Sequence, residues 1–451
     1  MITAIETVLS RMGKNNNTTA VFWNGQEYSY SVLFNLIDHW SVRLKEQNIG
    51  QGTICGFTGD YSLQIIALIF ALIKAKAILV PITSKFESEI NTFKEIAGID
   101  HLFRFDKNDN WASEKFDNIS KNNLIIEFYK REVPGLIVFT SGSTGEPKGI
   151  LHDCEQLMKK FVEIRKGWRT ILFLMLDHFG GFNTLLSSFS YNGAAVCLPD
   201  RSPDLVCRTV ELSKANLLPT TPTFLNLLIT SRCYKNYDLS SIELITYGTE
   251  VMPLTTLQMV KEIFPNTEIK QTYGLSELGV LRSKSKSEDS VWVKIGGSGF
   301  ETKIKDNILW VRSEANMVGY LNAPNPFDED GWMCTGDEVE VQGDYLRILG
   351  RKTDMINVGG QKVFPVEVEN VLLTAENVQE ASVYGTKHSI MGQVLVANIS
   401  LYEPEDSLRL TERLRKLCIE KLAKYKVPLR FKIVPLEEQY SDRFKRVRKT
   451  I

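Results

Sequence analysis

The strongest constraint on this chain is a ten-residue run, Thr140-Ser141-Gly142-Ser143-Thr144-Gly145-Glu146-Pro147-Lys148-Gly149, set directly behind the apolar segment Leu136-Ile137-Val138-Phe139. Its glycines let backbone N–H groups approach phosphate oxygens, its four hydroxyls can donate to the same oxygens, and Lys148 adds a positive charge. An apolar strand opening into such a loop reads as a triphosphate cradle. It is not a Walker loop, because Gly-x-x-x-x-Gly-Lys-Ser/Thr is absent. Taken alone, it is equally compatible with a flexible Gly/Ser turn.

The flanking pattern supplies the scaffold. Leu33, Leu36, Ile37, Trp40 and Leu44 recur at the helical period from Ser31, and Gly50 and Gly52 end that helix. A second helix over 63–76 runs into an apolar strand at 78–81, and short strands recur at 136–139, 196–198 and 244–246. Such alternation predicts α/β architecture, with sheets covered by helices. Near the end the pattern changes: strands at 338–342 and 345–349 are joined by Gly343-Asp344, a hairpin signal. A compact α+β unit follows, with helices over 367–373 and 407–422 and strands over 381–384, 395–399 and 431–434. Because single cores stop growing near roughly 250–300 residues, a chain of 451 residues divides. We expect a large N-terminal domain over 1–350 and a small mobile C-terminal domain over 351–451.

A net charge of −1 gives no reason to expect a nucleic acid partner. The seven cysteines are scattered without a C-x-x-C pair, as expected of free thiols in a reducing compartment. The N-terminus does not read as a signal peptide, and Gln64, Lys74 and Lys76 interrupt the most apolar stretch, so neither secretion nor stable membrane insertion is expected. A cytoplasmic protein is the reading.

Four motifs stand in order: Ser-Gly-Ser-Thr-Gly-x-Pro-Lys-Gly; Gln271-Thr272-Tyr273-Gly274-Leu275-Ser276-Glu277; Cys334-Thr335-Gly336-Asp337; and Gly350-Arg351-Lys352-Thr353-Asp354. Together they resemble the adenylate-forming superfamily of acyl- and aryl-CoA synthetases, peptide-synthetase adenylation domains and luciferases, over nearly the whole chain. The resemblance implies activation of a carboxylic acid by ATP to an acyl-adenylate, followed by transfer to a thiol. By the same resemblance, Thr140, Ser141, Gly142, Ser143, Thr144, Gly145 and Lys148 hold phosphates and Glu277 ligates Mg²⁺. Thr272 contacts the α-phosphate, Tyr273 flanks adenine, and Asp337 and Arg351 bind ribose. Thr353 marks the hinge, and after rotation the loop carrying Gly359 and Gly360 admits the pantetheine arm of coenzyme A or of an acyl carrier protein. Lys445 matches the catalytic lysine, although Phe444 stands where the family has glycine. The alternative for Arg443, Lys445, Arg446, Arg448 and Lys449 is a solvated basic tail, which could meet a nucleotide 3′-phosphate or an acidic carrier helix.

The acid site is expected around Asp177-His178-Phe179-Gly180-Gly181-Phe182, which resembles the His-x-Gly-Gly region of acyl- and aryl-CoA ligases. Phe182, Thr220, Tyr247, Gly248 and Thr249 are expected as walls. An apolar lining of this kind favours an aryl or acyl acid over a charged one. Two alternatives remain at this level: a free-standing amino-acid adenylating enzyme, with Asp177 gripping the ammonium, and an ATP-binding homologue that has lost chemistry.

Overall fold

The computed structural model describes residues 2–83, 88–117, 120–141, 146–287, 290–297, 299–389, 391–441 and 445–448. Its large domain is built on two seven-stranded sheets. In chain numbers, the first runs 319–320, 147–153, 135–141, 78–82, 54–58, 101–105 and 111–115. The second runs 268–271, 244–247, 217–220, 169–171, 194–196, 19–23 and 26–29. Most inner strands are parallel, as Cys55↔Leu79 and Thr220↔Tyr247 illustrate; antiparallel pairing brings in 147–153, 319–320, 111–115 and 26–29, while the edge strand 268–271 is parallel to 244–247.

Strand alternation explains how two sheets share one core. Cys55, Phe57, Leu79, Leu136 and Val138 point to the same central cluster as Val21 and Ala195 of the other sheet. Their neighbours Ile54, Ile78, Val80, Ile137 and Phe139 point to a separate outer cluster, while Phe22, Ile171, Val196 and Leu218 point to a third. Helices Leu63–Lys74 and Phe179–Ser190 contribute to the central cluster, and this requires the first to be apolar all round. Gln64 survives there by accepting from Trp40 Nε1 at 2.9 Å, and Lys74 emerges at the end to meet Asp38. No described helix is long and apolar enough to cross a membrane.

Several expected boundaries shift. The helix expected from Ser31 begins at Tyr30, because Ser29 accepts from Val32 N, and it ends at Glu46 ahead of the left-handed Asn48, not at the glycines. The strand expected over 196–198 is Ala194–Val196, since the parallel register with Phe22 ends there. The hairpin is longer than its alternation suggests, Met333–Gln342 and Tyr345–Arg351, and its turn residue Gly343 has φ 60°.

Beyond a short 3₁₀ turn, Lys352–Asp354, the chain builds the small α+β unit. Strands Val378–His388 and Gly392–Leu401 pair along their length, and helices Pro365–Leu372 and Ser407–Lys421 pack on them. Its core, including Ile356, Val368, Ala381, Ala397 and Leu414, is separate from those of the large domain.

Candidate active site

The phosphate loop is the mouth of an antiparallel pair. Strands Gly135–Ser141 and Pro147–Asp153 face each other with Thr140 opposite Lys148. Gly142, Ser143, Thr144 and Gly145, with the side chain of Ser141, lie outside the described residues. Lys148 Nζ sits 5.4 Å from the ring centre of Tyr320, whose hydroxyl donates to Glu277 Oε1 at 2.6 Å. Tyr320 therefore connects the loop lysine to the expected metal ligand. Nothing in its sequence context marks it; it is positioned by pairing Gly319–Tyr320 onto Ile150 and Leu151. Asn322 closes the base of the loop, accepting from Gly149 N at 3.0 Å and donating to the Pro147 carbonyl at 2.9 Å.

Beside this lies a cavity of about 270 Å³ between Thr249–Val251, the Tyr273 segment and the long hairpin. Asp337 and Arg351 are register partners in that hairpin, which puts Arg351 Nε 3.6 Å from Asp337 Oδ1. Tyr273 donates its hydroxyl to Asp337 Oδ2 at 2.5 Å. Burial raises the Asp337 carboxyl above the usual carboxylate range, while Tyr273 and Arg351 pull it back. All three residues line the cavity, as does Thr272.

A second cavity, about 220 Å³, opens on the other side of Thr272 and Tyr273. His178 caps helix Phe179–Ser190, its Nδ1 accepting from Gly180 N at 3.4 Å, and its ring lines the cavity. Down the helix, Phe179, Asn183 and Ser187 face the same space at four-residue steps. Phe182, expected as a wall, is instead fully buried in the central core and does not line the cavity. Strand parity corrects Tyr247: Thr246 and Gly248 face the cavity, and Tyr247 points into the core behind the sheet. Thr220 and Thr249 are walls as expected. The lining is mainly apolar, with Thr170, Asn183, Thr184 and Ser187 among its polar members.

Two glycines are needed for close approach. A Cβ on Gly181 would lie 2.0 Å from the Met175 carbonyl, and one on Gly248 would lie 2.6 Å from Thr272 Oγ1. Thr249 carries the positive φ of 68° that a β-branched residue rarely adopts, and it lines both cavities.

Lys445 comes from the small domain. It lines the nucleotide-sized cavity and also a narrow cleft shared with His178, Arg201, Thr221 and Thr249. Arg446 and Arg448, which follow it, are not part of a solvated tail. Arg446 is 5% exposed, and its guanidinium donates to Glu369 at 2.9 Å and to Glu380 at 2.7 Å, both fully buried carboxylates. Arg448 donates to Glu369 as well. The two arginines hold the Glu369 carboxyl down at about 2 against the opposing effect of burial. Two side chains of the large domain join this cluster: Glu250 Oε1 accepts from Arg446 N at 2.7 Å, and Asn226 Nδ2 donates to Glu380 Oε2 at 2.9 Å. Arg446 and Arg448 are thus committed internally, while Arg443 and Lys449 of the same basic segment lie outside the described residues.

Other expected residues lie apart. Gly359 and Gly360, with φ 58° and 87°, form a tight turn grouped with His388, Met391 and Gln393, and this group shares no lining residue with the two cavities. Thr353 is exposed in the 3₁₀ turn. Asp177 Oδ2 accepts from Thr83 Oγ1 at 3.1 Å and is not among the cavity-lining residues. His152 is fully buried against Phe179, and burial pushes its imidazole down to about 3. All seven cysteines are unbridged, and no group of three His, Cys, Asp or Glu among the described residues could hold a metal.

The model of the AMP-binding enzyme family matches residues 10–321, and that of the AMP-binding enzyme C-terminal domain matches residues 367–440. The chain is an AMP-binding enzyme. The indoleacetate–CoA ligase of Aromatoleum aromaticum is 25% identical over 97% of this enzyme and 95% of its own length. The 2-succinylbenzoate–CoA ligase of Bacillus licheniformis is 30% identical over 66% of each. Among solved structures, an anthranilate CoA ligase in complex with anthranoyl-AMP covers 96% of this AMP-binding enzyme and 93% of its own chain, with a TM-score of 0.78 at 22% identity. The enzyme is an AMP-forming acid–thiol ligase of the acyl-CoA synthetase type.

Proposed function

We propose that the two cavities are the halves of one adenylation site, in which ATP and an aryl or acyl acid meet at Thr272 and Lys445. The observation that carries this reading is that Lys445, a small-domain residue, borders both the nucleotide-sized cavity and the His178 cleft. Asp337 and Arg351 take the ribose hydroxyls, Tyr273 flanks adenine, and Thr140 and Lys148 hold the β- and γ-phosphates. One free-standing carboxylate fits Mg²⁺, which keeps several waters and takes its remaining oxygens from phosphate, so Glu277 with Tyr320 behind it is the protein's share of that site. When bound, the ion neutralises charge on the leaving pyrophosphate.

In the first step a carboxylate oxygen attacks the α-phosphorus, a P–O bond forms, and the bond to pyrophosphate breaks. The Lys445 ammonium draws the two anions together and stabilises the charge that develops between them. In the second, a thiolate attacks the acyl carbon and AMP leaves. Coenzyme A is the acceptor favoured by the names of the related ligases; pantetheine on a carrier protein follows the same chemistry. For either, rotation about Thr353 takes Lys445 out and brings the Gly359-Gly360 turn in. The amino-acid reading loses support because the carboxylate of Asp177 is turned to Thr83.

Acid-dependent exchange of labelled pyrophosphate into ATP, with coenzyme A withheld, tests the reading. Exchange with aryl or aliphatic acids is expected. Exchange with amino acids alone, or none from an enzyme that still binds ATP, overturns it.

A further inference from the structure

Behind the wall of the acid cavity lies a buried charge that the adenylation reading does not use. Lys160, at the end of helix Cys154–Lys159, donates its ammonium to Asn183 Oδ1, and Asn183 lines the cavity. Its Nζ also lies 5.0 Å from the ring centre of Phe161. Among the described residues no carboxylate lies within ion-pair distance of it. Burial, with a smaller contribution from Arg165, lowers the ammonium to about 7, the direction expected of a cation without a counter-charge. A protein retains such a group at a cost unless something pairs with it.

Hydrogen bonding dictates what Asn183 presents. With its carbonyl oxygen occupied by Lys160, the amide has its NH₂ left to offer. A donor backed by a cation, at the end of a cavity whose other end is His178, recognises an acceptor with negative charge. The helix rise separates the two ends by about 6 Å over the four residues from Phe179 to Asn183.

Resting on the adenylation reading, we propose that the acid substrate carries a second carboxylate, remote from the reacting one, which the Asn183 amide binds with the Lys160 charge behind it. This replaces the sequence-based expectation of an uncharged acid. Ser187, one helical turn beyond Asn183 and lining the same cavity, agrees with it.

The test compares matched acids in the pyrophosphate exchange assay: 4-phenylbutanoate with 4-(2-carboxyphenyl)butanoate, and hexanoate with hexanedioate. The wild-type ratio of kcat/KM, diacid over monoacid, is expected to exceed about tenfold for at least one pair, the usual worth of a hydrogen bond to a charged group. Lys160→Met, which keeps the length of the stem, is expected to collapse that ratio by a similar factor. A wild-type ratio below one, or a ratio that Lys160→Met leaves unchanged, overturns the proposal. Should Lys160→Met fail to fold, thermal shift of the wild type decides: the diacid and not its monoacid must raise Tm, and equal shifts overturn the idea. Absence of exchange with every acid, while ATP still binds, is a failure of the adenylation reading itself.

Discussion

Asn226→Ala separates the two half-reactions without touching either cavity. Asn226 lies on helix Pro222–Ser231 of the large domain and lines neither acid nor nucleotide cavity. Its amide reaches across to Glu380 Oε2 at 2.9 Å and to the Gln379 carbonyl at 3.2 Å. Glu380 is 1% exposed, and burial already raises its carboxyl above the usual range. Removing the donor leaves a buried carboxylate oxygen short of a partner in the arrangement that puts Lys445 at the site. A hydrogen bond to a charged group is worth about 1.5–3 kcal/mol, so the balance between this arrangement and a rotated one shifts on the order of 10- to 150-fold. Pyrophosphate exchange is expected to slow several-fold or more, while thioester formation from a preformed acyl-adenylate and coenzyme A keeps its rate. Equal losses in both assays, or no loss in either, would refute the reasoning, because the contact would then be general packing or nothing.

Lys445→Ala is expected to abolish adenylation while sparing thioester formation from the preformed adenylate; survival of both half-reactions removes the lysine from its role. Asp337→Asn replaces a buried carboxylate that Tyr273 and Arg351 already address, and should weaken ATP binding by about 1.5–3 kcal/mol in calorimetry; unchanged affinity would move the ribose elsewhere. Gly181→Ala, whose Cβ meets the Met175 carbonyl at 2.0 Å, should cost about 1–3 kcal/mol or more in urea unfolding. Gly180→Ala, whose nearest contact is Leu174 Cδ1 at 3.3 Å, should cost far less. Equal costs would mean that the backbone there moves freely.

What the sequence makes legible is local, and what it hides depends on parity or distance. The Asp337 hairpin and the His178 segment can be read because each is a short run with a strong local signal. Phe182 and Asn183 are adjacent, as are Tyr247 and Gly248, and one position's error turns a side chain by about 100° on a helix and to the other face on a strand. The expected acid-pocket walls are misplaced for that reason at two positions: Phe182 and Tyr247 are core, while the cavity keeps a mainly apolar lining in which Thr170, Asn183 and Ser187 are polar exceptions. Tyr320 meets Glu277 across 43 positions, and Arg446 meets Glu369 across 77. No window of sequence contains both members of either pair, so the basic segment could only be read by its own composition.

The buried arginines therefore have a different meaning from a basic tail. Buried ion pairs add little net stability, because desolvation offsets attraction, but they fix one geometry. Here they sort into two sets. Arg446 with Glu369 and Glu380, and Arg448 with Glu369, tie the segment after Lys445 to its own domain. Gln439 adds to this by donating to the Glu380 carbonyl and to Ser400 Oγ. Glu250 and Asn226 reach the same cluster from the large domain. A lysine that must enter and leave a site needs the first set strong and the second breakable. Glu369→Gln should accordingly behave unlike Asn226→Ala. It leaves two buried guanidinium groups short of charge, which costs about 3–5 kcal/mol when one partner of a buried pair is lost, and it should lower Tm and both half-reactions together. If Glu369→Gln instead spared thioester formation as Asn226→Ala is expected to, the cluster would act as a single interdomain clamp and Lys445 would not travel rigidly with the small domain.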